Sequence, residues 1–226
     1  QNGGFWVGRY EAGIEDETNI RKEKTDTVTL TPVTKKNVYP YNYVTRTQAK
    51  VLAEQVEAGS YTSSLMFGVQ WDLVLAFMSK DTAKIISTDD LTSNSTKIGN
   101  YSNATFQLSQ TGKYATSSYG TLSSTWNPST TATTNFVDSS RNKLAESGGN
   151  GILVTTGTSE KNKVMNIYDI AGNVWEWTSE AYSYISISRG GSYDDDGSRF
   201  PVSYRALTFA SSLNDNAGFR SRLYIK

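Results

Sequence analysis

The twelve residues from Asn166 to Trp177, N-I-Y-D-I-A-G-N-V-W-E-W, constrain this chain more than any other stretch. Gly172-Asn173 supplies a tight turn at positive φ, after which Val174, Trp175 and Trp177 open a strand with aromatic anchors. Rings of that size carry a large apolar area out of water, so the segment belongs at a packed corner. Its polar groups have two readings. In one, the segment is simply a hydrophobic turn-strand corner. In the other, Asn173, Glu176 and nearby carbonyls gather round Ca²⁺, a hard cation that needs several oxygen ligands.

The rest of the chain has a coarser grain. Phe5 to Glu11 alternates apolar and polar residues as a first strand ended by Gly13, and Glu15 to Thr27 is a densely charged excursion. A helix is expected after Thr45 or Thr47 as N-cap, with Ala49, Leu52, Ala53 and Val56 on one face and Gly59 as its stop. A second helix is expected from about Val69 to Ser79. Trp71, Leu73, Val74, Leu75, Phe77 and Met78 make nearly every face of it apolar, which predicts burial. From Asp89 to Ser159 the chain is rich in Ser, Thr, Asn and Gly, but aromatic residues recur too often for a solvated linker, so packed loops with short strands are expected.

Residue types exclude much chemistry. The chain has no Cys and no His, which removes thiol nucleophiles, Cys/His zinc sites, Ser-His-Asp triads and imidazole acid–base catalysis. Lys and Arg number 22 and Asp and Glu 22, so no net field favours nucleic acid. No apolar run approaches the ~20 residues that span a bilayer, and no direct membrane insertion is expected. The first residue is Gln1 rather than Met, which suggests a piece of a longer protein. Single-domain organisation over 1–226 is the expectation for this length.

Three motifs in register, Asp169-x-x-Gly172-Asn173-Val174-Trp175-Glu176-Trp177, Arg189-Gly190-Gly191-Ser192-Tyr193 and Gly218-Phe219-Arg220, resemble the C-terminal core of the formylglycine-generating enzyme family. Weaker echoes lie in Phe5 to Glu11 and in Met66-Phe67-Gly68-Val69-Gln70-Trp71, where the family's Leu-Pro-Thr and both Glu are not kept. The resemblance implies an α+β chain with the C-type lectin fold of that family: two helices, a small antiparallel sheet and long irregular loops. Members that oxidise a target cysteine carry an active-site cysteine pair just after the Arg-Gly-Gly-Ser segment, and here those places fall near Asp195 and Phe200. A carboxylate and a phenyl ring can neither ligate soft Cu(I) nor form a mixed disulfide. Related sulfoxide synthases use His-rich iron sites, which this chain cannot build. The expectation is a non-enzyme that requires no cofactor, structural Ca²⁺ being the one metal considered.

The segment from Tyr193 to Asn216 lies between two of these motifs and shows no helical or strand period. Rigid aromatics mixed with small polar residues resemble a paratope, although an ordinary surface loop would also fit. The layout also resembles the variable proteins of diversity-generating retroelements in phages and bacteria, whose adenine-directed mutagenesis yields the residue types crowded here. That resemblance implies a variable ligand-binding segment at about 193–216, with Tyr193, Asp194, Asp195, Asp196, Arg199, Phe200, Ser203, Tyr204, Leu207 and Phe209 as contact residues. The implied partner is a protein or glycan on a cell surface, met from a phage particle or a bacterial cell surface. Asp194 to Asp196 are also weighed as a lectin-like Ca²⁺ site, but Glu-Pro-Asn and Trp-Asn-Asp signatures are absent. Arg205 and Arg220 are expected to brace the fold. The alternative is a fixed, non-catalytic structural or glycan-binding family member; the oligomeric state stays open.

Overall fold

The computed structural model describes residues 4–15, 28, 30–56, 61–84, 86–133, 135–147 and 149–225. Most of the charged excursion and the expected stop at Gly59 lie outside them. Nine strands and three helices position the site. The strands are β1 (Trp6–Val7), β2 (Tyr61–Leu65), β3 (Lys113–Ser118), β4 (Gly151–Val154), β5 (Trp175–Tyr182), β6 (Ile185–Arg189), β7 (Arg205–Phe209), β8 (Ala217–Phe219) and β9 (Ser221–Ile225). The helices are α1 (Arg46–Gln55), α2 (Gly68–Met78) and α3 (Thr88–Thr92). Further two-residue strands join the loops between them. Three helices among many short strands make an α+β protein.

Two sheets share the C-terminal residues. In one, β9 lies between β1 and β2 and is antiparallel to both, so Trp6 is opposite Leu223 and Ser221 opposite Leu65. The other has the order β7, β6, β5, β8 and contains a parallel pair, with Trp175 opposite Ala217 and Trp177 opposite Phe219. The expected all-antiparallel sheet is therefore corrected at this one pairing. The polar middle forms packed loops and short strands, of which β4 is wholly buried against β3.

Local signals explain the helices. Thr45 caps α1: its Oγ1 accepts from Gln48 N at 3.2 Å while Gln48 Oε1 accepts from Thr45 N at 2.9 Å, a reciprocal capping box. Ala49, Leu52 and Ala53 are buried as expected. α3 was not expected, yet Ser87 and Asp90 form the same kind of box at its start. α2 corrects another expectation, because only one side of it is buried. Trp71, Val74, Leu75 and Met78 face the core, whereas Val69, Leu73 and Phe77 are four residues apart on an outward stripe. Leu73 and Phe77 of that stripe and Trp6 border an apolar groove of about 670 Å³. Among the described residues no helix is long and apolar enough to cross a membrane.

Candidate ligand-binding face

The Gly-Asn corner is held by backbone conformations that the sequence motif requires. Gly172 has φ +69°, and a Cβ there would lie 2.0 Å from Asn100 O; Asn173 follows at φ +63°. The Asn173 amide is fully used: its Oδ1 accepts from Asn100 Nδ2 at 3.0 Å and Val154 N at 3.1 Å, and its Nδ2 donates to Glu11 Oε2 at 2.6 Å. Gly191, at φ +78°, passes so close to Tyr101 that a Cβ would lie 2.5 Å from the ring. The hydroxyl of Tyr101 donates to Gly190 O at 2.6 Å.

Beside this corner is a buried charged cluster. Arg220 donates through Nε and Nη2 to Glu176 at 2.8 to 3.2 Å, through Nη1 to Gly8 O at 2.9 Å and through Nη2 to Tyr168 O at 2.8 Å. Glu11, Asp169, Glu176 and Arg220 are all buried. Burial pushes the Glu11, Asp169 and Glu176 carboxyl groups above the ordinary carboxylate range, and the Arg220 charge opposes the rise. One guanidinium faces three acidic groups, so the cluster retains a proton where separate carboxylates would have lost theirs. The expected bracing role of Arg220 is what its contacts show.

This geometry corrects the Ca²⁺ reading of Asn173 and Glu176. The cation that Glu176 meets is the Arg220 guanidinium, and the Asn173 oxygen is taken by two N–H donors. Nor do the residues fit the copper of the oxidising enzymes, since neither Asp195 nor Phe200 supplies a thiolate. Instead the Phe200 ring meets Trp175 edge-on at 5.9 Å, and burial raises the Asp195 carboxyl while the Trp175 indole opposes the rise.

The ten expected contact residues divide into two groups. Tyr193 is a core residue, which corrects its assignment. Its ring packs with Leu153 and Val174, and its hydroxyl donates to Asp215 Oδ2 at 2.8 Å. Asp194 accepts from Ser192 Oγ at 2.7 Å and Asn216 Nδ2 at 3.1 Å. Ser192 Oγ also lies against Asp195, whose carboxyl burial pushes up to about 6. Asp196 Oδ1 accepts from Ser198 N at 2.7 Å, and its carboxyl is lowered by the Ser198 hydroxyl. Ser203 N donates to Leu91 O at 3.2 Å. The three aspartates thus fold their own loop rather than converging as lectin-like ligands.

The second group forms an outward face. Arg205 to Phe209, which shows no period as a bare sequence, is the edge strand β7 and alternates exposed and half-buried residues. Leu207 is 73% and Phe209 62% exposed, and the Phe209 ring stacks on Tyr184 at 6.0 Å and 13°. Tyr204, 41% exposed, packs edge-on against Phe200 at 5.1 Å and Trp175 at 6.2 Å. The Arg199 guanidinium lies 5.6 Å from the centre of the Phe200 ring. Arg205 does not brace the core but pairs with Glu180 at the surface. Tyr182 and Tyr184 belong to this face and were not anticipated. Their signal was present in Tyr182-Ser183-Tyr184-Ile185, where Ser183 at φ +56° turns β5 into β6 and leaves both rings outside.

Together these features define a class: an α+β scaffold with a closed polar core and an exposed aromatic face on its C-terminal sheet. The chain belongs to the FGE-sulfatase family, the sulfatase-modifying factor enzyme 1-like domain, which it matches over residues 17–223. It is also similar to inactive C-alpha-formylglycine-generating enzyme 2 of Bos taurus and of Mus musculus. Each is 36% identical over 85 residues, or 34% of this chain. The matched part spans 28% and 27% of the length of those relatives.

Proposed function

We propose that this chain is a non-catalytic ligand-recognition member of its family, with the C-type lectin form of the fold, in which Arg199, Phe200, Tyr204, Leu207 and Phe209 meet the ligand. The observation that carries the reading is the edge strand β7. It leaves Leu207 and Phe209 mostly exposed beside Tyr184, while the residues behind it are fixed by buried hydrogen bonds. Large rigid side chains on a held frame give contact area at little cost in conformational entropy.

The absence of thiols and the names of the two inactive relatives support the lack of catalysis. The residue types of 193–216 support a retroelement-diversified segment, with a protein or glycan ligand on a cell surface and display from a phage particle or bacterial envelope. Sequencing the codons for Arg189 to Lys226 across the source population tests this. Diversity should fall on Arg199, Tyr204, Leu207 and Phe209 and spare Tyr193 and Arg220. An invariant segment with no template copy or reverse transcriptase nearby overturns the retroelement part. Copper-dependent turnover of a cysteine-containing sulfatase peptide overturns the non-catalytic part.

A further inference from the structure

A second pocket of about 290 Å³ lies away from β7 and takes no residue from 193–216. Its lining includes Lys36, Ser109, Arg141, Thr158, Glu160 and Lys161. Glu160 is the acidic group in that lining, and it is already engaged by Lys163 Nζ at 2.5 Å, the Tyr168 hydroxyl at 2.6 Å and Lys36 Nζ at 3.5 Å. Among the described residues neither Arg141 nor Lys161 has a carboxylate partner. Arg141 Nε donates to Leu108 O at 3.3 Å, and Lys161 Nζ donates to Thr105 O.

Two further observations concern residues of this lining. Ser109 Oγ is buried without a hydrogen-bond partner, an arrangement that costs free energy unless something completes it. Arg141 is held at φ +64°, a conformation disfavoured for a side chain of its size. The loop is fixed there by Asp138 Oδ1, which accepts from Ser140 N and Asn142 N, each at 2.8 Å. Lys84 adds to the crowding of positive charge, since its Nζ donates to the carbonyls of Glu160 and Lys161 at 2.9 and 2.5 Å. Its ammonium is lowered by burial and by the neighbouring Lys163, and that of Lys161 by burial.

We propose that this pocket is an anion site in which Arg141, Lys161 and Lys36 receive the tetrahedral oxyanion of a sulfate or phosphate monoester. Arg141 and Lys161, half-buried and without a carboxylate partner among the described residues, and Lys36, exposed and 3.5 Å from Glu160, supply charge-assisted donors. The volume, near the lower end of small-ligand sites of roughly 300 Å³, leaves room for a small organic remainder.

The test is an amide-resolved NMR titration of the whole chain with sodium sulfate and with inorganic phosphate, ionic strength being held constant with sodium chloride. Glucose 6-sulfate and glucose 6-phosphate follow. Saturable shifts centred on Ser109, Arg141, Ser159 and Lys161 are expected. Binding should weaken by about tenfold or more in Arg141→Gln and Lys161→Gln and stay unchanged in Lys50→Gln, a surface change on α1. Whichever ester binds more tightly identifies the source of the anion. Shifts that chloride reproduces, that never saturate, or that survive both substitutions overturn the proposal. If a variant fails to fold, the wild-type titration decides alone.

Discussion

Arg220 and Glu176 meet with both side chains essentially out of solvent, 44 residues apart in sequence, and the guanidinium also ties Gly8 to Tyr168. Removing one partner of such a pair leaves an uncompensated buried charge, which costs about 3–5 kcal/mol. Arg220→Met should lower the urea midpoint accordingly, and Arg220→Lys should recover little, because an ammonium lacks the planar fork that serves three partners at once. An Arg220→Met midpoint within about 1 kcal/mol of wild type would show that the pair does not brace the frame.

Stability should depend on pH with a trough near neutrality. Glu11, Asp169, Glu176 and Asp195 have folded-state values raised by burial. Their contribution is present below the ordinary carboxylate range and is lost as pH rises through about 6, the value for Asp169 and Asp195, and about 7, the value for Glu176. On the acid side Asp81, Asp90 and Asp138, lowered in the folded state, lose theirs as pH falls.

Lys143 adds the opposite slope above neutrality. Its buried ammonium donates to the carbonyls of Ser102, Ala104 and Leu144 at 2.8 to 3.1 Å, and burial lowers it to about 7. The folded state then holds fewer protons than the unfolded chain as pH rises beyond about 7, so stability recovers. Chemical denaturation between pH 4 and 9 should show a maximum near the ordinary carboxylate range. The recovery should be absent in Lys143→Met, and Asp195→Asn should flatten the fall below neutrality.

The exposed face and its frame should separate on mutation. Leu207→Ala and Phe209→Ser should leave stability within about 0.5 kcal/mol, as surface changes do, and abolish binding of whatever ligand the face selects. Tyr193→Ala should cost about 3–5 kcal/mol from lost packing, and the bond to Asp215 goes with it. Thermal melts together with binding assays on the same variants decide this. A destabilised Leu207→Ala would mean that the face is part of the core.

Much of the frame is legible because its signals are local. Gly172-Asn173 demands positive φ, Thr45 and Gln48 lie three residues apart, and the indoles of Trp71 and Trp177 need burial with a carbonyl each, found at Val202 and Val44. What could not be read depends on partners far along the chain. Glu11 reads as the end of a surface strand until Asn173 comes to meet it, and Lys143 reads as a solvated charge until three carbonyls enclose it. Tyr193 and Tyr204 are equivalent as letters, yet Tyr193, which follows the positive-φ pair Gly190-Gly191, is buried and Tyr204 is exposed. Arg205 to Phe209, R-A-L-T-F, has no apolar-polar alternation as a sequence, and its alternation of exposed and half-buried residues emerges only with its pairing to β6.

The pairing of β1 with β9 has a kinetic consequence. Contacts such as Trp6 with Leu223 and Glu11 with Val174 close loops of most of the chain's length, and loop closure must precede any stabilisation from them. A chain emerging residue by residue from the ribosome holds Glu11 and Asp169 without their cation until Arg220 appears. The scaffold therefore assembles late and cooperatively, with the segment that carries the exposed face already synthesised before the frame can close behind it.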